Sequence, residues 1–264
     1  MLKNISTVVF TFLVCHSAYG QGNDPSVDAL CSEPTIKLVS EYLNIQELHF
    51  GPQDTESRTD SKSSVIASAC KRWPYDKSIM IVSFSYDAGI QYEKQLIVSL
   101  VDTFKKEAIA AYKGTIPEDA AMTVGSGSLI LDTARYDIAP GVRAFGLDLS
   151  TSHSQGCGDG GVGPIRTLFV KEGKKIRPVL EGLYLSTWTF IKGGPSCAAS
   201  EREVVIETTS YGVGILRTVT NGYADLRITA TSTFDNGKKS PTRPKRYTLK
   251  YDGKSYPVQE TIAW

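Results

Sequence analysis

Histidine is scarce in this chain: three residues in 264, of which only His49 and His153 lie beyond the first 20. Cysteine occurs five times, but never at the C-x(2–4)-C spacing that tetrahedral zinc sites use. No metal site or cofactor is therefore expected. Net charge is also missing. Lys3 lies in the first segment, and without it the 29 basic residues become 28 against 28 acidic ones. That leaves no global field to draw in nucleic acid or an anionic membrane. Beyond the N-terminus no apolar run approaches the roughly 20 residues that a spanning helix needs.

Three catalytic or nucleotide signatures fail in detail. Gly158, Gly160 and Gly163 match G-x-G-x-x-G, but Pro164 and a β-rich stretch follow where a helix should begin. Gly253-Lys254-Ser255 resembles the end of a P-loop, yet Thr248 stands where the first glycine belongs. Gly125-Ser126-Gly127-Ser128 is out of register for a nucleophile elbow.

What is present begins with MLKNISTVVFTFLVCHSAYG. Lys3 supplies a basic start, Ile5 to Val14 an apolar stretch, and Ala18 and Gly20 the small residues of a cleavage site. Residues 1–20 read as a signal peptide. An acylated Cys15 is the competing reading, but Val14 precedes it where a small residue is wanted. Cleavage leaves Cys31, Cys70, Cys157 and Cys197, an even number that suits disulfides in an exported chain. Of three possible connectivities, Cys31–Cys70 and Cys157–Cys197 close the shortest loops. Each bond would contribute roughly 4 kcal/mol on the chain-entropy model.

The remaining pattern is mainly β. Residues 21–76 form an N-terminal segment with a polar loop at 51–64, and residues 77–264 a β domain. Thr35 to Leu43 fits a short helix or an alternating strand equally well. Ile79–Tyr86 and Gln95–Asp102 are apolar runs, the second expected to be buried on both faces. Ala108–Tyr112 reads as a returning strand, with a helix over Asp102–Tyr112 as the competing reading. Ser128–Asp132 and Val142–Ser150 flank a Pro140–Gly141 type II turn. Further strands are expected at Thr167–Val170, Ile176–Leu180, Gly182–Ile191, Glu203–Thr208, Ile215–Val219, Tyr223–Thr233, Lys245–Tyr251 and Ser255–Val258. So many short strands predict an antiparallel sandwich or a propeller-like sheet assembly. LFVKEGKKIRPV (Leu168–Val179) and TLKYDGKSYPV (Thr248–Val258) echo one another, as two modules or as two unrelated hairpins.

Candidate site residues are few. Asp132 and Asp148, with Asp137 and Asp225, lie on or beside expected strands and could form a hydrolytic carboxylate pair. His153, in a serine-rich turn, could act as a general base. Lys238, Lys239, Arg243, Lys245 and Arg246 form a basic run able to touch an acidic surface. Trp73, Trp188 and Trp264 could stack sugars, with Trp188 expected in the core and Trp264 exposed.

Several segments resemble a family of exported proteins of Gram-negative bacteria with no assigned activity. They are Leu131-Asp132-Thr133-Ala134-Arg135-Tyr136, Ala139-Pro140-Gly141-Val142-Arg143-Ala144-Phe145-Gly146, Asn221-Gly222-Tyr223-Ala224-Asp225-Leu226 and Tyr247-Thr248-Leu249-Lys250-Tyr251-Asp252-Gly253. The resemblance implies a bacterial envelope location, periplasmic or secreted, and brings no catalytic residues. The expected role is binding an envelope component or another exported protein. The alternative is a hydrolase of cell-wall or extracellular polymer.

Overall fold

The computed structural model describes residues 30–45, 48–50, 63–119, 122–153, 160–193, 204–235 and 243–262. Helix α1 (Glu33–Tyr42) opens the chain, and strands β1 (Val65–Arg72), β2 (Ile79–Tyr86), β3 (Glu93–Asp102) and β4 (Glu107–Pro117) follow as an antiparallel meander. Next come β5 (Met122–Thr123), β6 (Leu129–Ala139), β7 (Val142–Leu149), β8 (Ser152–His153), β9 (Gly160–Val162), β10 (Ile165–Glu172) and β11 (Lys175–Tyr184). The chain ends with β12 (Ser186–Lys192), β13 (Val205–Thr220), β14 (Tyr223–Phe234), β15 (Lys245–Leu249) and the single-turn helix α2 (Val258–Thr261). Among the described residues no helix is long and apolar enough to cross a membrane.

Eight strands form a curled sheet in the order β1-β2-β3-β4-β11-β10-β7-β6. All eight place residues in one interior core, which includes Ala69, Ile81, Leu100, Ala110, Leu131, Phe145, Phe169 and Ile176. The edge strands β1 and β6 are brought together, and Lys71 Nζ donates to the Leu131 carbonyl at 3.0 Å. Five strands, β15-β14-β13-β12-β9, form a second sheet. Its Leu226, Ile228 and Leu249 pack with Ile138, Leu168 and Leu180 on the outer face of the curled sheet. The fold is thus mainly β, with a sandwich relation between the sheets.

Helix α1 covers another part of that outer face. Ile36 and Val39 lie against Val82, Phe84, Ile97 and Val101, and the Cys31–Cys70 disulfide ties the helix to β1. Tertiary burial therefore decides the ambiguous segment: Ile36 and Val39 are one helical turn apart and share an apolar patch. The same cover explains why β2 and β3 are apolar on both faces. Alternate residues point to the interior core and to the α1 cluster. Ala108–Tyr112 is part of strand β4 rather than a helix.

Three expected boundaries shift. Glu203–Thr208 and Ile215–Val219 belong largely to one strand, because β13 runs unbroken through Gly212 and Gly214, with Thr229 and Arg227 of β14 opposite. Gly182–Ile191 is two strands, since the chain leaves the curled sheet after Tyr184 and enters the second sheet at Ser186. Ser255–Val258 is an isolated bridge from Tyr256 to Leu180 followed by α2. The echoed motifs are also unlike. Gly173 turns the β10–β11 hairpin at φ +61°, whereas Asp252 Oδ1 accepts from the Lys254 and Ser255 amides and sends the chain across to β11. Cys157 and Cys197 lie outside the described residues.

Candidate functional site

Asp132 and Asp148 are brought together, and Arg166 stands between them. The three sit on adjacent strands β6, β7 and β10, where Asp132 is opposite Gly146 and Asp148 opposite Arg166. A bulge in β6 between Asp132 and Tyr136 returns Tyr136 to the same face. Gly146 leaves space: a Cβ there would lie 3.0 Å from that of Asp132. Arg166 Nε and Nη2 each donate to Asp148 at 2.7 Å, a bidentate pair. Arg166 Nη1 reaches Asp132 Oδ2 and Tyr136 Oη, both at 2.7 Å. Tyr136 Oη donates to Asp132 Oδ2 at 2.6 Å, and the Ala134 amide donates to Oδ1 at 2.9 Å.

All four carboxylate oxygens are therefore engaged. Burial pushes the Tyr136 phenol upward, and its hydrogen bond to Asp132 adds to this. For Arg166 burial acts downward, but the bonds and charge of Asp148 outweigh it and hold the guanidinium charged. A carboxylate clamped on both oxygens by a permanent cation is poorly placed to carry a proton to substrate. The geometry makes a brace between strands, with one positive charge against two negative.

Asp137, Asp225, Arg243, Lys245 and Arg246 lie outside this cluster. Asp137 pairs with Arg135 at 3.2 Å and lies 3.5 Å from Arg143 Nε. Asp225 is buried near the β13–β14 turn, where the Thr218 hydroxyl holds its carboxyl below the usual range against the opposing effect of burial. The His153 backbone pairs with Met122 in the β5–β8 ribbon. Arg243 is exposed, and Lys245 and Arg246 are exposed on β15. Lys238, Lys239 and Trp264 lie outside the described residues. Among the described residues no group of three His, Cys, Asp or Glu could hold a metal. Gly160 lies in β9 against the Trp188 backbone, which is not the setting of a dinucleotide loop. Trp188 is absent from the buried core. It packs edge-on against Phe190, with rings 5.5 Å apart, on a strand with no fully buried residue.

A second place was not singled out from the sequence. At one end of the curled sheet, the β1–β2 and β6–β7 connections and residues of β2, β3, β4, β7 and β10 line a hollow of about 350 Å³. Ile79, Leu100, Ile109 and Trp73 supply apolar walls, with Tyr75, Asp76, Arg143 and Lys171 around them. Trp73 stacks edge-on against Phe145 at 5.6 Å and meets Tyr75 at 5.3 Å. The Arg143 guanidinium lies 5.4 Å from the Tyr75 ring centre. Two buried donors here are without hydrogen-bond acceptors: Trp73 Nε1 and Arg143 Nε. The Arg143 side chain is only 11% exposed. Asp76 is occupied by the amide and hydroxyl of Ser78, and the hydroxyl bond chiefly holds its carboxyl low. A second hollow of about 390 Å³, beside Asp137 and Arg217, shares Tyr75, Gly141 and Val142 with the first.

The signal for this site was strand alternation. In Val142–Leu149 the residues Arg143, Phe145 and Leu147 share a face, so a charge there faces the interior. No family model matches this chain, and no curated protein or solved structure matches it either.

Proposed function

We propose that this chain is an exported protein of the bacterial envelope that binds a ligand without transforming it. The ligand seat is the hollow at the end of the curled sheet. The observation that carries the reading is the hollow itself: Arg143, only 11% exposed, and Lys171 line it together with Tyr75, Ile109 and Val142. Pockets of about 300–1,000 Å³ with a few convergent polar groups are the usual form of small-molecule sites, often at the mouths of β-barrels. The Cys31–Cys70 disulfide supports an oxidising compartment. The hydrolase reading loses its acid–base pair to the Arg166 clamp.

The test uses the indole N–H resonance of Trp73, assigned by its loss in Trp73→Phe. Titration with small amphiphiles should move this resonance, and the ligands should be recovered unaltered. No movement with any of them would overturn the seat. Ligand turnover that persists in pure protein would overturn the non-enzymatic role.

A further inference from the structure

We infer that the hollow selects a small amphipathic anion: an apolar or aromatic body carrying one carboxylate or phosphate head. This rests on the reading of the hollow as a ligand seat and names what it selects. The walls divide by chemistry. Ile79, Leu100 and Trp73 belong to the interior core beneath the hollow, and the partly exposed Ile109, Val142 and Tyr75 supply the apolar surface that a ligand body would meet. The charged lining residues are Arg143, Lys171 and Asp76.

Of these, Asp76 is turned to its own loop by two bonds to Ser78. Asp137 lies behind Arg143 at 3.5 Å, but it also serves Arg135, and it makes no hydrogen bond to Arg143 Nε. Lys171 is exposed at the rim, with no ion-pair partner among the described residues. The lining thus carries two cations, Arg143 and Lys171, against one acid, Asp76, that is already bonded. An anionic head would pair with the Arg143 guanidinium and Lys171, with its apolar body against Ile109, Val142 and Tyr75. A neutral amphiphile would leave Lys171 without a counter-ion, and a cationic one would be repelled.

The experiment titrates the oxidised, exported chain with decanoate, decanol, inorganic phosphate and phosphatidylglycerol vesicles, using the Trp73 indole resonance as readout. Decanoate should bind about tenfold more tightly than decanol, the scale of one charge-assisted contact. Arg143→Gln should remove that preference while leaving decanol unchanged. Arg143 is nearly buried, so the exposed Lys171→Gln provides a second test. It should weaken decanoate by about two- to threefold, and added salt should do the same by screening. Equal binding of decanol and decanoate would overturn the anionic selectivity and leave the seat standing. Phosphate binding as tightly as decanoate would overturn the apolar half. Binding to vesicles without binding to decanoate would replace the small ligand with a membrane surface. No response to any probe would overturn the seat itself.

Discussion

Arg166 carries one charge against the two of Asp132 and Asp148, and its side chain is 13% exposed. Removing one member of such a group leaves the others charged and poorly solvated. Arg166→Met should destabilise the fold by about 3–5 kcal/mol, read from urea denaturation. A loss under about 1 kcal/mol would mean that water already solvates both carboxylates. The ionisable side chains also set the pH limits. Burial raises Tyr136 and Tyr256 above the ordinary phenol value. A raised folded value gives stability that is complete below the unfolded value and lost as pH climbs past it. The denaturation midpoint should therefore fall above about pH 10. Glu172 runs the other way, held low chiefly by its hydrogen bond from Arg177. Its contribution is present above about pH 4.3 and fades on acidification, so Glu172→Gln should soften the acid limb. Asp132 and Asp148 could be picked out in the sequence because they interrupt apolar strands. Arg166 could not, since it is 18 residues from Asp148 and meets it only through the β7–β10 register. Arg143 carries only the alternation signal that it shares with Phe145 and Leu147, which by itself does not mark a hollow.

Among the elements, strands with both faces covered were the most legible. β2 and β3 read as continuous apolar runs because core lies on each side. β13 was harder. None of its residues is fully buried, so its 16 residues carry no strong apolar signal, and Gly212 and Gly214 look like breaks. The junction at Leu185 was hidden for another reason: the strand direction continues while the hydrogen-bonding partner changes from β10 to β13. α1 depends on its tether and its apolar patch rather than on capping, since the Ser32 side chain makes no cap bond. Opening the Cys31–Cys70 disulfide, by replacing both with serine, should cost up to about 4 kcal/mol. Amide exchange should rise first in α1 and across the outer face of β2. If exchange in α1 stays unchanged, the helix is held by its apolar contacts alone.

At the scale of the molecule, composition pointed to a mainly β chain, and the two-sheet arrangement delivers one. How the sheets curl and pack was not legible, because it depends on pairs far apart in sequence, such as β4 with β11 and β1 with β6. Mass spectrometry of protein expressed with its own N-terminus tests the export reading. The expected mass is that of residues 21–264 less four hydrogens; an intact N-terminus or an acylated Cys15 would overturn the cleavage. The curled sheet is also not stitched evenly. β4 and β11 meet in a single parallel pair, Lys175 with Ala111, where the Ala111 amide donates to the Lys174 carbonyl at 3.3 Å. On the opposite side the Lys71 ammonium spans to a backbone carbonyl. The curled sheet is thus two four-stranded shells, and breathing would part them along the β4–β11 seam before it frayed any hairpin.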